Sequence, residues 1–276
     1  MKALCVENLV KRYPTFDLNV SFSVEEGHVC GLIGANGAGK STTLKAILGL
    51  ISSSGSVEIF GVPLREEERR AKELVCYTGG GFRYYPRKTL GEIACAVSAF
   101  YPNWSKSAFQ AYLKKFSLDE RKRVAELSEG MKVKFSLALS LSHGARLLIL
   151  DEPTSGLDPL SREEFADLIL ELVKTEKVSV LFSTHITSDL VRLADDIVYI
   201  ADGRVLADEP LSALTEKYSL AEFASEPTER EGLIGLKPTK SGYRALTERG
   251  TAVAEATVSE PTLDDIMIHL EYDKRK

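Results

Sequence analysis

The sequence predicts an α/β fold: a mainly parallel sheet, an antiparallel β part, an inserted helical region and a small C-terminal appendage. Three observations carry that prediction. Short apolar runs alternate with amphipathic helical stretches along much of the 276-residue chain. Four consecutive aliphatics, Leu147 to Leu150, end in two acids, which is how a strand buried on both faces of a parallel sheet reads. A second apolar run, Val29 to Ile33, stops at a glycine-rich loop that leads straight into a helical pattern.

The elements follow in order. Val29 to Ile33 reads as a buried strand, and Thr43 to Leu48 as a helix that Gly49 is placed to end. Val57 to Phe60 is a strand closed by Gly61, and the charged stretch Arg65 to Glu73 a solvated helix. From Leu90 to His143 the pattern is mostly helical. One piece is Glu92 to Phe100, broken by Pro102; a second runs from about Ser105 to Phe116. A third starts near Ser128 and carries Val133, Phe135, Leu137, Leu139 and Leu141. After the strand at Leu147, Asp158-Pro159 supplies an N-cap and a proline at the first helical position. The helix behind it sets Phe165, Leu168, Ile169, Leu172 and Val173 on one face. Val178 to Phe182 is another strand, and a helix from about Ser188 follows. IVYIADGRVLA then reads as a hairpin turning at Asp202-Gly203. The chain past Glu209 is more polar. The expected division is therefore one unit over 1–209, with its helical region at about 82–143, and an appendage over 210–276.

Apolar residues make up 44% of the chain and charged residues 27%, as in ordinary globular proteins. The net charge of −5 argues against a chain whose main work is gripping nucleic acid, so no nucleic-acid partner is expected. No apolar run reaches the ~18 residues of a membrane span. Glu7, Lys11 and Arg12 fall where a signal peptide would be apolar. A cytoplasmic location follows as the expectation, with room for a place against a membrane protein. Cys5, Cys30, Cys76 and Cys95 form no CxxC pair and read as small buried hydrophobes in a reducing compartment.

The segment GLIGANGAGKSTT carries the chemistry. Gly34 to Ser41 fits G-x-x-x-x-G-K-[ST], after a strand and before a helix. Glycine and alanine (Gly34, Gly37, Ala38, Gly39) clear side chains away, so successive backbone N–H groups can line an anion-binding concavity around Asn36. The helix N-terminus adds partial positive charge. Lys40 can reach terminal phosphates, Ser41 can ligate Mg²⁺, and Thr42 stands beside them. Each charge-assisted hydrogen bond there contributes roughly 1.5–3 kcal/mol. The loop is thus read as a P-loop holding nucleotide phosphates. Asp151, at a strand end, can position Mg²⁺, and Glu152 can deprotonate an attacking water. His185 follows the strand Val178 to Phe182. A lone histidine most often serves packing, but a strand end in such a sheet is where ligands bind.

These residues together resemble the ATP-binding cassette (ABC) family of transporter ATPases, over about residues 2–210. The motifs occur in order: GANGAGKST, LSEGM at Leu127 to Met131, LLILDEP, SGLDP at Ser155 to Pro159, and STH ending at His185. The resemblance implies a P-loop NTPase core and a dimer of ATPase subunits, identical or not, with ATP sandwiched between them. It implies that Tyr13 stacks on adenine and that Ser128 and Gly130 touch the γ-phosphate across the dimer. Asp158 would link the two sites, and His185 would contact the γ-phosphate. Lys40, Glu152 and His185 are then the catalytic residues, with ATP and Mg²⁺ as cofactors.

Two positions depart from the family pattern. Glu129 replaces the first glycine of LSGGQ. A carboxylate about 6 Å from a phosphate charge costs on the order of 3 kcal/mol at an effective dielectric of ~20. The side chain is therefore expected to turn outward. No glutamine occurs between Lys40 and Phe109, although the family carries one near Gly80; water can complete the metal shell instead. LSEGMK and AFYPNW (Ala99 to Trp104) resemble one subgroup, exporter-type cassettes encoded beside GntR-like repressors, whose region from about Phe82 to Trp104 faces a separate membrane subunit. The expected function is the ATP-hydrolysing, peripheral subunit of an exporter on the inner face of the membrane. A non-transport ABC ATPase and a low-turnover nucleotide sensor stand as the alternatives.

Overall fold

In the computed structural model of the chain, residues 1–79, 84–251 and 253–273 are described. Gly80 and Phe82 lie outside them. The chain opens with an antiparallel pair, β1 (Lys2–Tyr13) and β2 (Phe16–Glu25), then enters the sheet centre as β3 (Val29–Ile33). Helix α1 (Lys40–Ile47) follows, and β4 (Ser54–Ile59) and β5 (Val62–Pro63) return to the β1 side. Next come α2 (Glu68–Glu73), β6 (Val75–Gly79) and the helices α3 (Leu90–Ser98), α4 (Lys106–Lys115) and α5 (Glu129–Ser142). The sheet is completed by β7 (Leu147–Asp151), α6 (Pro159–Glu176), β8 (Ser179–Ser183), α7 (Thr187–Leu193), β9 (Asp196–Ala201) and β10 (Arg204–Pro210).

All ten strands belong to one sheet, in the order β5-β4-β1-β2-β10-β9-β3-β8-β7-β6. The run β9-β3-β8-β7-β6 is parallel throughout. The opposite half is antiparallel. β10 joins the halves, antiparallel to β9 and parallel to β2. Strands β3, β7 and β8 are buried at every position, which explains the apolar runs at their centres. One face of the sheet packs on α1, with Leu44, Ile47, Leu147, Ile149 and Leu181 in a single cluster. The other packs on the helical region and α6, through Phe109, Phe135, Leu148, Phe182 and Leu172.

Local signals act as the sequence predicts. Ser105 accepts from Ala108 N at 3.1 Å, Ser128 from Met131 N at 3.3 Å and Asp158 from Ser161 N at 3.0 Å, each capping its helix. Thr89 and Glu92 form a capping box that starts α3. The hairpin turns with φ 48° at Asp202 and 72° at Gly203, the left-handed pair of a type I′ turn. Its second residue has to be glycine, because a Cβ there would stand 2.0 Å from the Asp17 carbonyl oxygen.

One expectation needs amendment. Cys5 is only half-buried and Cys95 is exposed, so burial describes Cys30 and Cys76 alone. Burial pushes the Cys76 thiol up to about 12. Residues beyond β10 share the core of the large sheet. They form α8 (Leu211–Lys217), β11 (Tyr218–Phe223), β12 (Ile234–Thr239), β13 (Gly242–Glu248), β14 (Thr257–Ser259) and α9 (Leu263–Asp273). The four strands make an antiparallel sheet ordered β12-β13-β11-β14. Leu220, Leu246, Leu263 and Ile266 nevertheless belong to the cluster that contains Leu148 and Phe182. The Tyr199 hydroxyl on β9 donates to Glu271 Oε1 on α9 at 2.8 Å, tying the segment down.

Candidate nucleotide site

The site grows from register. In the parallel half, Gly79 pairs with Asp151, Asp151 with Ser183, and Ser183 with Leu32. The carboxyl ends of β6, β7, β8 and β3 therefore finish along one edge. A ligand binding at that edge meets all four strand ends at once.

The glycine-rich loop leaves this edge from β3. Gly34 has φ 153°, and a Cβ on it would lie 2.1 Å from the Ile200 carbonyl oxygen. The loop can therefore press against β9 only with glycine here. Gly203 N of the hairpin donates to Ala38 O at 3.0 Å, and Ala38 N donates to Ala35 O at 3.1 Å. Asn36 and Gly37 are exposed at the tip, and Gly39, at φ 111°, hands over to α1. Lys40 is buried, with Nζ donating to Gly34 O at 2.6 Å and Ala35 O at 3.2 Å. Its ammonium closes the loop from inside. Burial lowers the Lys40 pKa, while the nearby Glu152 and Asp151 carboxylates act to raise it.

Ser41 Oγ, on the first turn of α1, donates to Asp151 Oδ1 at 3.2 Å. Asp151 also accepts from Ser183 Oγ, at 2.5 Å. One hydroxyl and one carboxylate with open approach from the loop side match the hard oxygen donors Mg²⁺ takes from proteins, which usually leave the remaining positions to phosphate oxygens and water. Among the described residues no group of three or more His, Cys, Asp and Glu can cage a metal unaided. Thr42 is half-buried in the same turn.

Glu152 adopts φ 53°, in the left-handed region that non-glycine residues seldom occupy. Its N–H is held by Ser183 O at 3.0 Å and Ser183 Oγ at 3.2 Å. The turned backbone brings the carboxylate to His185, with Oε1 3.3 Å from Nδ1. His185 is exposed beyond the end of β8, so it is not a packing residue. A cavity of about 620 Å³ opens beside Asp151 and Glu152, walled by Tyr77, Tyr84, Glu129 and Lys132 among others.

Tyr13 lies at the end of β1, 42% exposed, so it is not a core tyrosine. Its ring centroid is 6.5 Å from that of Phe16, and Phe16 Cζ stands 2.8 Å from where a Gly39 Cβ would be. An exposed aromatic thus stands next to the loop. Ser128, Gly130 and Asp158 make a second group. Ser128 and Gly130 line a small cleft with Leu157 and Ser161, and Ser161 is the residue Asp158 caps. Among the described residues no hydrogen bond or ion pair joins this group to Lys40 or Ser41. Glu129 is exposed, and its carboxylate pairs with Lys132 Nζ at 2.6 Å. Ser183 falls within STH and Lys132 within LSEGMK, but neither carries a role of its own there. A serine at a strand end and a lysine three residues past a glutamate do not signal which carboxylates they meet.

Comparisons with known proteins point to one family. The family model described as "ABC transporter" matches residues 18–155. The chain is 34% identical to the bacitracin transport ATP-binding protein BcrA of Bacillus licheniformis, over 91% of this chain and 91% of that protein. It is 36% identical to the Nod factor export ATP-binding protein I of Burkholderia orbicola (strain AU 1054), over 71% of this chain and 66% of that protein. A solved structure, described as the ATP binding subunit of an ABC transporter, superposes with a TM-score of 0.68 at 31% identity, covering 77% of this chain and 91% of that one.

Proposed function

This chain belongs to the ABC transporter family, and from that premise we propose that it is the ATP-hydrolysing subunit of an exporter, working as a dimer of cassettes on a separate membrane partner. One observation carries the reading: Lys40, Ser41, Asp151, Glu152 and His185 converge on the single edge where β3, β7 and β8 end. The loop from Gly34 to Thr42 receives the phosphates, Lys40 neutralises them, and Tyr13 offers its ring to the adenine. Ser41 and Asp151 hold Mg²⁺, which draws charge from the phosphate oxygens when bound. Glu152 takes the proton of the attacking water, and His185 fixes the γ-phosphate end of the site. Ser128 and Gly130 of a second subunit close over that phosphate, and Asp158 links the two halves. Residues 210–276 form a small C-terminal appendage to 1–209, with its own antiparallel sheet and apolar side chains that join the larger core.

The membrane partner docks on the helical region. Tyr84 packs edge-on to Phe135, Tyr101 stacks on His143, and Trp104 packs on Phe109, so those rings are committed inside. Among the described residues of this region, Tyr85 and Phe100 are 79% and 77% exposed and offer apolar surface to a partner. No helix among the described residues is long and apolar enough to cross a membrane. This supports peripheral attachment on the inner face. LSEGMK and AFYPNW support the subgroup encoded beside GntR-like repressors, and the relative named for Nod factor export supports the outward direction. The test is turnover of Mg-ATP by the purified chain, together with its retention on membranes only when the membrane partner is co-expressed. A chain that neither binds nor cleaves Mg-ATP overturns the proposal.

Glu129 gives a second test. Lys132 already neutralises its charge, so Glu129→Gly is expected to change ATP turnover by less than about fivefold, the range of an exposed ion pair. Lys132→Met, which leaves the carboxylate bare at the dimer face, is expected to lower turnover more than Glu129→Gly does. An inactive Glu129→Gly protein beside an active wild type contradicts this account.

A further inference from the structure

We propose that Ser183 is the positioning residue of the nucleotide site, its hydroxyl holding the metal-side carboxylate and the base-bearing backbone in one rigid unit. The inference rests on the reading of Asp151 as a metal ligand and Glu152 as the base. Ser183 is fully buried at the end of β8, directly across from Asp151. Its Oγ donates to Asp151 Oδ1 at 2.5 Å and accepts from Glu152 N at 3.2 Å. Asp151 Oδ1 has a second donor, Ser41 Oγ, at the longer distance of 3.2 Å. The two serines therefore differ in kind. Ser41 sits on the exposed first turn of α1, and while it donates to Asp151 its oxygen keeps two lone pairs for a cation. Ser183 has no exposed surface, and its hydroxyl is already taken up by Asp151 and Glu152 N.

The same hydroxyl explains the backbone of Glu152. A left-handed residue is costly and persists only where its surroundings fix it. Here Ser183 fixes it twice, through its carbonyl oxygen at 3.0 Å and its hydroxyl. Loss of the hydroxyl would free Asp151 to rotate and Glu152 to relax, so metal affinity and water activation would fall together. Ser183→Ala removes the hydroxyl with almost no change in volume, and Ser183→Thr keeps it.

The experiment titrates Mg²⁺ into full-length protein holding a fluorescent ATP analogue, with thermal unfolding as the folding control. Ser183→Ala is expected to need about tenfold more Mg²⁺ for the half-maximal signal, the loss of one hydrogen bond to a charged group, while analogue binding without Mg²⁺ stays within about twofold. Ser183→Thr is expected to restore the wild-type titration. A folded Ser183→Ala protein that titrates like wild type overturns the proposal. So does equal weakening with and without Mg²⁺, which would mark general loosening of the site. If wild type itself shows no response to Mg²⁺, the metal reading of Asp151 fails, and that result is distinct from failure of the variant.

Discussion

Glu152→Gln is expected to stop ATP turnover while leaving ATP bound and the two subunits closed on it. Glutamine matches glutamate in shape and can still face His185, 3.3 Å away in the wild type. The turned backbone at φ 53° is held by main-chain and Ser183 contacts that the substitution does not touch. What disappears is basicity. A positioned general base contributes about 10²–10⁴-fold to a rate, so kcat should fall by at least about 100-fold. Nucleotide affinity resides in Lys40 and the loop, and it should persist. On the proposed cycle hydrolysis reopens the dimer, so the variant is expected to accumulate as a dimer in Mg-ATP. Gel filtration with and without nucleotide reads this directly. A variant that turns over like wild type removes Glu152 from the role of base. One that loses turnover and binding together reassigns it to holding nucleotide.

How far the sequence reached depends on how local each feature is. The buried strands were legible because burial on both faces leaves an unbroken aliphatic run, as at Leu147 to Leu150. Helix starts were legible because capping is a contact across three residues, as from Asp158 to Ser161. The glycine-rich loop was legible because its shape forbids side chains. Ser183 was not, since its importance comes from standing opposite Asp151, a pairing across thirty-two positions of sequence. The long-range contacts of the C-terminal residues were not legible for the same reason: Leu246 and Ile266 join the apolar cluster that holds Leu148 and Phe182. Tertiary packing also decides which aromatics of the helical region stay outside: Tyr85 and Phe100 are exposed, which composition alone does not tell. The position near Gly80, where the family carries its glutamine, falls outside the described residues.

Lys40→Met tests the other half of the site, and its effect should fall on binding. Lys40 is the cation inside the loop, and its ammonium donates to Gly34 O and Ala35 O. Those two carbonyls mark where the loop curls around it. A nucleotide must draw the ammonium from these oxygens toward phosphate, exchanging neutral acceptors for charged ones, and charge-assisted bonds are about twice as strong. Two such bonds at roughly 1.5–3 kcal/mol each predict that Lys40→Met weakens ATP binding by at least about 100-fold. Methionine fills similar volume in a site that is 6% exposed, so the fold should survive, as a thermal melt would verify. Lys40→Arg separates charge from shape. It keeps the cation, but its planar fork cannot fold back between two carbonyls in a buried loop fitted to a single ammonium. Arginine should therefore recover little of the loss. Recovery of near-normal affinity by Lys40→Arg would mean that long-range charge, not the ammonium seated in the loop, binds the phosphates. Retention of ATP by Lys40→Met at wild-type affinity would remove the loop from phosphate binding altogether.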